Sequence, residues 1–249
     1  MPSRLLSLLL LGLPIGEGSR EQPERLCRAL QTANLHAFLG QHAMLYCLLG
    51  GSDSLLSWSH LQLEESRAML ERTHQRLRGL TSGGIEQGQV IALQPLQQSY
   101  SLLLTAAGDD LLRTAALNIS ERLLQRALMI AEALACRDGT PAGQWLSLSG
   151  RVYAYSQRTL CLLALDTPLA VELNRPARLA ACREHCQQAL ASLLKLSQCN
   201  DEITCLLGEL EKLHTPPMRE PEGLWLHHVS ASLLHNLQRL AVLGESLPL

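Results

Sequence analysis

Between Asp109 and Cys136 the chain reads DDLLRTAALNISERLLQRALMIAEALAC, with no proline or glycine to interrupt it. Leu112, Ala116, Ile119, Leu123, Ala127, Ile130 and Leu134 recur at steps of three and four, which at 3.6 residues per turn sets them in one stripe along a helix. Leu117, Leu124, Leu128, Ala131 and Ala135 form a second row beside it. An apolar face of that width needs neighbours on two sides, so this helix is expected at the centre of a multi-helix body. Asp109 is a fitting N-cap, Asp110 faces the positive end of the helix dipole, and Arg137 to Pro141 should stop the helix.

Composition agrees with a helical body. The 249 residues are 47% hydrophobic and 18% charged, enough apolar material for a core and too much for a disordered chain. Aromatic residues make up only 3%, Phe38 is the single phenylalanine, and leucine is the commonest residue, a balance that favours helix over strand. No alternating run of Val, Ile, Thr and Tyr is present. The expected fold class is all-α, with seven to eight helices packed as a bundle or irregular α-solenoid and no sheet. No internal repeat of fixed period supports a regular solenoid. A net charge of −2 gives no basic surface for phosphate neutralisation, so nucleic acid is not an expected partner.

Taken in order, residues 1–19 form an apolar segment, with Arg4 ahead of the run Leu5 to Ile15 and small residues at Gly16 and Gly18, the outline of a signal peptide. It is too short to span a bilayer. An N-terminal helical subdomain is expected over 20–84 and a main helical subdomain over 85–249. The pattern from Pro23 to Leu49 reads as one long helix or two broken near Gly40. In the next helix Glu64, Glu65, Arg67, Glu71, Arg72, Arg76 and Arg78 make a mixed-sign surface that reads as its solvated side. Thr81-Ser82-Gly83-Gly84 marks the boundary between subdomains, and Pro95 is expected in the first turn of the helix after it. Further helices are expected over 143–165, 177–196 and 201–213. The linker around Pro216, Pro217 and Pro221 then precedes a C-terminal helix over 224–243.

Motifs that carry known chemistry are scarce in the chain. HExxH, GxSxG, GxxxxGK[ST] and GxGxxG are all absent, so no catalytic or cofactor-binding residue is assigned and no cofactor is expected. Cys182, His185 and Cys186 crowd one helical turn and are the weak metal candidates, because residues four apart share a helix face. The paired CxxC knuckles of structural zinc sites are missing. Eight cysteines would suit a disulfide framework by parity, but Cys47, Cys161 and Cys205 lie within apolar helical sequence, where a thiol acts as a small buried hydrophobe. Asn118-Ile119-Ser120 is an N-glycosylation triplet on the polar side of the long helix and matters only in a secreted protein.

What this adds up to is a non-catalytic helical scaffold or adaptor, cytoplasmic or nuclear, that presents a groove or apolar face to a protein partner such as a helix or peptide. Trp225, Leu226 and Leu233 of the terminal helix are the candidate interface residues. The alternative is a secreted helical signalling or binding protein with a cleaved N-terminus and disulfides. An enzyme with an unrecognised site is the third reading. No transmembrane span is expected, and the oligomeric state is open.

Overall fold

A computed structural model describes residues 21–50, 56–82, 84–106, 110–196, 224–233 and 235. The described residues are all-α: among them seven helices, α1 (Glu21–Leu49), α2 (Leu56–Leu80), α3 (Gln87–Ala106), α4 (Asp110–Asp138), α5 (Pro141–Leu163), α6 (Thr167–Glu172) and α7 (Arg175–Leu196), are joined by an eighth helical segment at 224–233. Among the described residues there is no strand, and no helix is long and apolar enough to cross a membrane. The apolar N-terminal segment, the stretch 201–213 and the end of the C-terminal helix beyond residue 235 lie outside the described residues.

The helix from Asp110 packs much as its periodicity predicts: Ala116, Leu117, Leu123, Leu124, Ala127, Leu128, Ile130, Ala131, Leu134 and Ala135 are all buried. The centre of the body, however, is α1. It packs along α2, α4 and α5, whereas α4 lies against α1, α3 and α5. From Ala29 to Leu49 nearly every side chain of α1 is buried, including Thr32, Asn34, His36, Gln41 and His42. These polar residues blur the leucine pattern, which is why α4 reads as the hub in sequence. Gly40 does not break α1; its carbonyl accepts a 2.6 Å hydrogen bond from the buried Tyr100 hydroxyl on α3.

The residues of the turn at 81–84 do not separate two cores. Buried residues from α1 and α2 belong to the same apolar cluster as those of α3, α4, α5 and α7. Two clamps hold the turn. Arg25 of α1 donates to the carbonyls of Gly79, Leu80 and Ser82 at 2.8–3.1 Å, capping the C-terminus of α2. Buried Glu86 pairs with Arg137 at the far end of α4 at 3.0 Å.

Three local details depart from the sequence expectation. Pro95 lies inside α3, which already starts at Gln87; the proline ring is on the exposed side, where the carbonyl it leaves unpaired one turn earlier can turn towards solvent. The residues expected only to stop α4 also start α5. Gly139 adopts a left-handed φ of 68° and ends α4. Thr140 then caps α5, its Oγ1 accepting from the Gly143 amide at 3.0 Å, and Pro141 fills the first turn. The stretch Leu169 to Arg175, which falls between the helices expected over 143–165 and 177–196, is mostly taken up by α6, which Asp166 caps through the Leu169 amide at 3.1 Å.

The crossing of α1 and α5 depends on one missing side chain. A Cβ on Gly150 would run into the side chain of Asn34, whose Nδ2 donates to the Leu146 carbonyl at 2.8 Å. A Cβ on Gly40 would meet nothing within 4 Å. Gly150→Ala should therefore cost about 1–3 kcal/mol through the displaced amide and crowded crossing. Gly40→Ala should add about 0.5–1 kcal/mol by relieving the entropic cost of a mid-helix glycine. Urea unfolding midpoints of the two variants check the opposite signs.

Candidate functional site

Helices α2 and α3 touch only sparingly, leaving an open groove of about 260 Å³ between them. One wall is Glu64, Arg67, Ala68, Leu70 and Glu71 of α2; the other is Gln97, Tyr100, Ser101 and Leu104 of α3. Leu70, Tyr100 and Leu104 are buried and give the floor an apolar character. The rim is polar. Arg67 pairs with Glu64 at 2.6 Å and reaches across the groove to donate to Ser101 Oγ at 3.2 Å.

Beneath the rim a polar chain runs inwards. Glu71 Oε2 accepts from Gln97 Nε2 at 2.6 Å, which leaves Gln97 Oε1 as the acceptor for His36 Nε2 at 2.9 Å. The exposed carboxylate thus orients the amide, and the amide fixes the proton of the buried imidazole on Nε2. Desolvation lowers the pKa of His36 to about 4, with the Gln97 hydrogen bond opposing and the nearby His74 adding to the shift. His42, one and a half turns along α1, follows the same logic. Its Nδ1 lies 2.8 Å from Ser66 Oγ, whose own proton goes to the Gln62 carbonyl, so the ring is the donor. Burial pushes His42 down to about 3.

A second polar cluster sits where α1, α4, α5 and α7 meet. Arg158, 2% exposed, donates to Gln41 Oε1 at 3.3 Å, Ser120 Oγ at 3.0 Å and Glu121 Oε2 at 3.0 Å. Gln41 Nε2 donates to the Ser120 carbonyl at 2.8 Å, and Cys161 Sγ donates to the Gln41 carbonyl at 3.0 Å. Arg178 of α7 shares Glu121 at 3.0 Å. The cleft beside this cluster holds only about 60 Å³, room for little more than water. Arg158 has carboxylate, hydroxyl and amide partners around it, which is the arrangement of a structural stitch between helices rather than a receptor for an incoming anion.

The sequence candidates distribute as follows. Cys182 and Cys186 are buried, Cys186 contacting the Val152 carbonyl at 3.7 Å, while His185 is exposed and stacks on Tyr155 with ring centroids 4.5 Å apart. Burial raises the two thiols to about 11 and about 12, which keeps them protonated and poor as ligands. Among the described residues no group of three or more His, Cys, Asp or Glu is placed to hold a metal ion. Cys47, Cys136, Cys161, Cys182 and Cys186 carry free thiols. Asn118 is exposed in the middle of α4, and its Oδ1 accepts from Arg178 at 3.3 Å.

Of the three candidate interface residues in the terminal segment, Leu226 and Leu233 are each 1% exposed in the chain's own core, and Trp225 keeps surface, at 38%. The segment is seated by Tyr46 Oη and His227 Nδ1, 3.0 Å apart, by His227 edge-on to Trp58, and by Ser230 donating to Gln157 Oε1 at 3.0 Å. Sequence reasoning took Glu64, Arg67 and Glu71 for an ordinary wet face and missed Gln97 and Ser101. Only the placement of α3 turns that face into a wall. No family model matches the chain, and no curated protein or solved structure is significantly similar to it.

The buried imidazoles make stability depend on acid. In the unfolded chain they take up protons near 6.5, but in the fold only near 4 and 3. Between those values the unfolded state binds more protons, so stability rises with pH and is lost as pH falls below about 6.5. Each histidine should contribute a slope of about 1.4 kcal/mol per pH unit in that window. Urea unfolding between pH 7 and pH 5 should show the loss, and His42→Asn should reduce its slope.

Proposed function

We propose that the protein is a non-catalytic helical scaffold whose α2–α3 groove receives a helix or extended peptide from a protein partner. The observation that carries this reading is the construction of the groove itself: an apolar floor of Leu70, Tyr100 and Leu104 under a rim of Glu64, Arg67, Glu71 and Ser101. Apolar anchors bounded by a polar rim are the usual anatomy of a peptide-binding surface. A ligand side chain that is basic would find Glu64 and Glu71, and an apolar one would reach Leu70 and Leu104. The nearby His36 is buried and held neutral, so it serves the wall of the groove and has no access to a bound ligand.

The free thiols at Cys47, Cys136, Cys161, Cys182 and Cys186 support a reducing compartment, cytoplasmic or nuclear, over the secreted alternative. Four of these five are buried. The matching measurement is the intact mass after alkylation without reductant, which should show all eight cysteines of the chain modified on unfolding. A chain carrying pairs resistant to alkylation would favour secretion.

Filling the groove tests the function directly. Ala68 is exposed at the rim, so Ala68→Trp should leave the helical circular dichroism and melting temperature unchanged while weakening capture of the partner at least tenfold. Photocrosslinking from position 101 in cells should yield a discrete protein adduct that Ala68→Trp abolishes. Adducts unaffected by that variant would place the partner elsewhere.

A further inference from the structure

The outward face of α3 carries no charge. Along the helix Gly88, Ile91, Pro95, Gln98, Leu102 and Thr105 are all exposed, and their steps of three and four keep them within an arc of about 100°. Ile91 is 47% exposed and Leu102 71%. The acid just ahead of the helix, Glu86, is buried against Arg137 and contributes nothing to this face. The contrast with the neighbours is plain. α2 exposes Glu64, Glu71 and Arg72, α4 exposes Asp110, Arg122, Arg126 and Glu132, and α7 exposes Glu184 and Lys195. α3 is therefore an uncharged stripe flanked by the charged helices α2 and α4 against which it packs.

We propose that this stripe is a self-association surface, on which a second copy of the chain lays its own α3 antiparallel about a two-fold axis. Charge selects this occupant. In an isologous contact the same patch meets itself, so charges near the axis confront their own kind unless each is matched by an opposite one across it. A face with none escapes that penalty, whereas a foreign partner would be free to exploit charges and would gain specificity from them. The order of side chains fits as well. Antiparallel pairing about the midpoint between Leu96 and Gln97 sets Ile91 against Leu102 of the second copy, Pro95 against Gln98, and the small Gly88 against Thr105. Each large aliphatic side chain thus meets another, and the glycine gives the ends of the helices room to approach. A Cβ at Gly88 would meet nothing within the chain itself, so its smallness is not required by the monomer.

This surface lies on the other side of α3 from the lining of the groove, so the dimer and the groove are independent. The test uses the full chain in sedimentation equilibrium at micromolar concentration. The wild type should run at twice its 27.4 kDa. Ile91→Lys and Leu102→Glu should each halve that mass with unchanged circular dichroism, since both positions are solvent-facing in the monomer. An equimolar mixture of the two variants should return to the doubled mass, because antiparallel pairing sets the new lysine against the new glutamate at one end and leaves Leu102 against Ile91 at the other. Val171→Glu, at an exposed apolar position on α6, should leave the dimer intact. A monomeric wild type, a dimer that survives both single variants, or a mixture that stays monomeric would overturn the proposal. A monomer whose stripe instead binds anionic or neutral lipid vesicles would reassign it to a membrane surface.

Discussion

The body of this protein rests on burying one helix from every side although Thr32, Asn34, His36, Gln41 and His42 all lie along its buried stretch. α1 can take that position because the polar side chains singled out above meet partners on different neighbours: Asn34 on α5, His36 on α3, Gln41 on α4 and α5, His42 on α2. An unpaired amide or imidazole in such a place would cost about 1–3 kcal/mol. The same contacts that offset much of this cost, with Asn34 Oδ1 and His36 Nδ1 still lacking a hydrogen-bond partner, also fix the rotation of α1 about its axis, since an apolar surface alone would tolerate several registers. Arg158 completes the arrangement by tying α5 to α1 and α4 at once.

The open groove is a by-product of this order. With α1 saturated by α2, α4 and α5, α3 can reach the body mainly through α4 and through the Tyr100 contact to Gly40. It does not close on α2. The gap between them is then bridged by polar atoms, Arg67 to Ser101 and Glu71 to Gln97, instead of by leucines. Hydrogen bonds across a partly solvated gap can exchange for ligand contacts at small net cost, whereas a packed leucine seam would have to be torn open.

How much of this could be read from the sequence differs from helix to helix. α4 was legible almost residue by residue because its buried face is nearly all aliphatic; the one omission, Ser120, is a polar residue buried at the Arg158 cluster. α1 was legible as a helix but not as the hub, since hydropathy assigns His36, Gln41 and His42 to the surface and only tertiary partners reverse that. Pro95 was misplaced because the sequence does not say which side of α3 faces water. The groove was the least legible. Its charged wall is indistinguishable from any solvated helix face until α3 is set beside it, and the contacts that define it link residues from 26 to 61 positions apart.

The placement of α1 also has a consequence for synthesis on the ribosome. Asn34 is bonded 112 residues ahead in the chain and Gln41 to Arg158 117 residues ahead, so α1 is made well before the helix that completes its enclosure. At translation rates of about 5–20 residues per second, α1 waits roughly 6–24 s for its partners on α5. Meanwhile α4 and α5, joined by a tight capped corner, can pair as soon as they emerge. The nascent chain thus spends that interval with the α5-facing side of its most enclosed helix uncovered, open to whatever binds apolar segments at the exit tunnel.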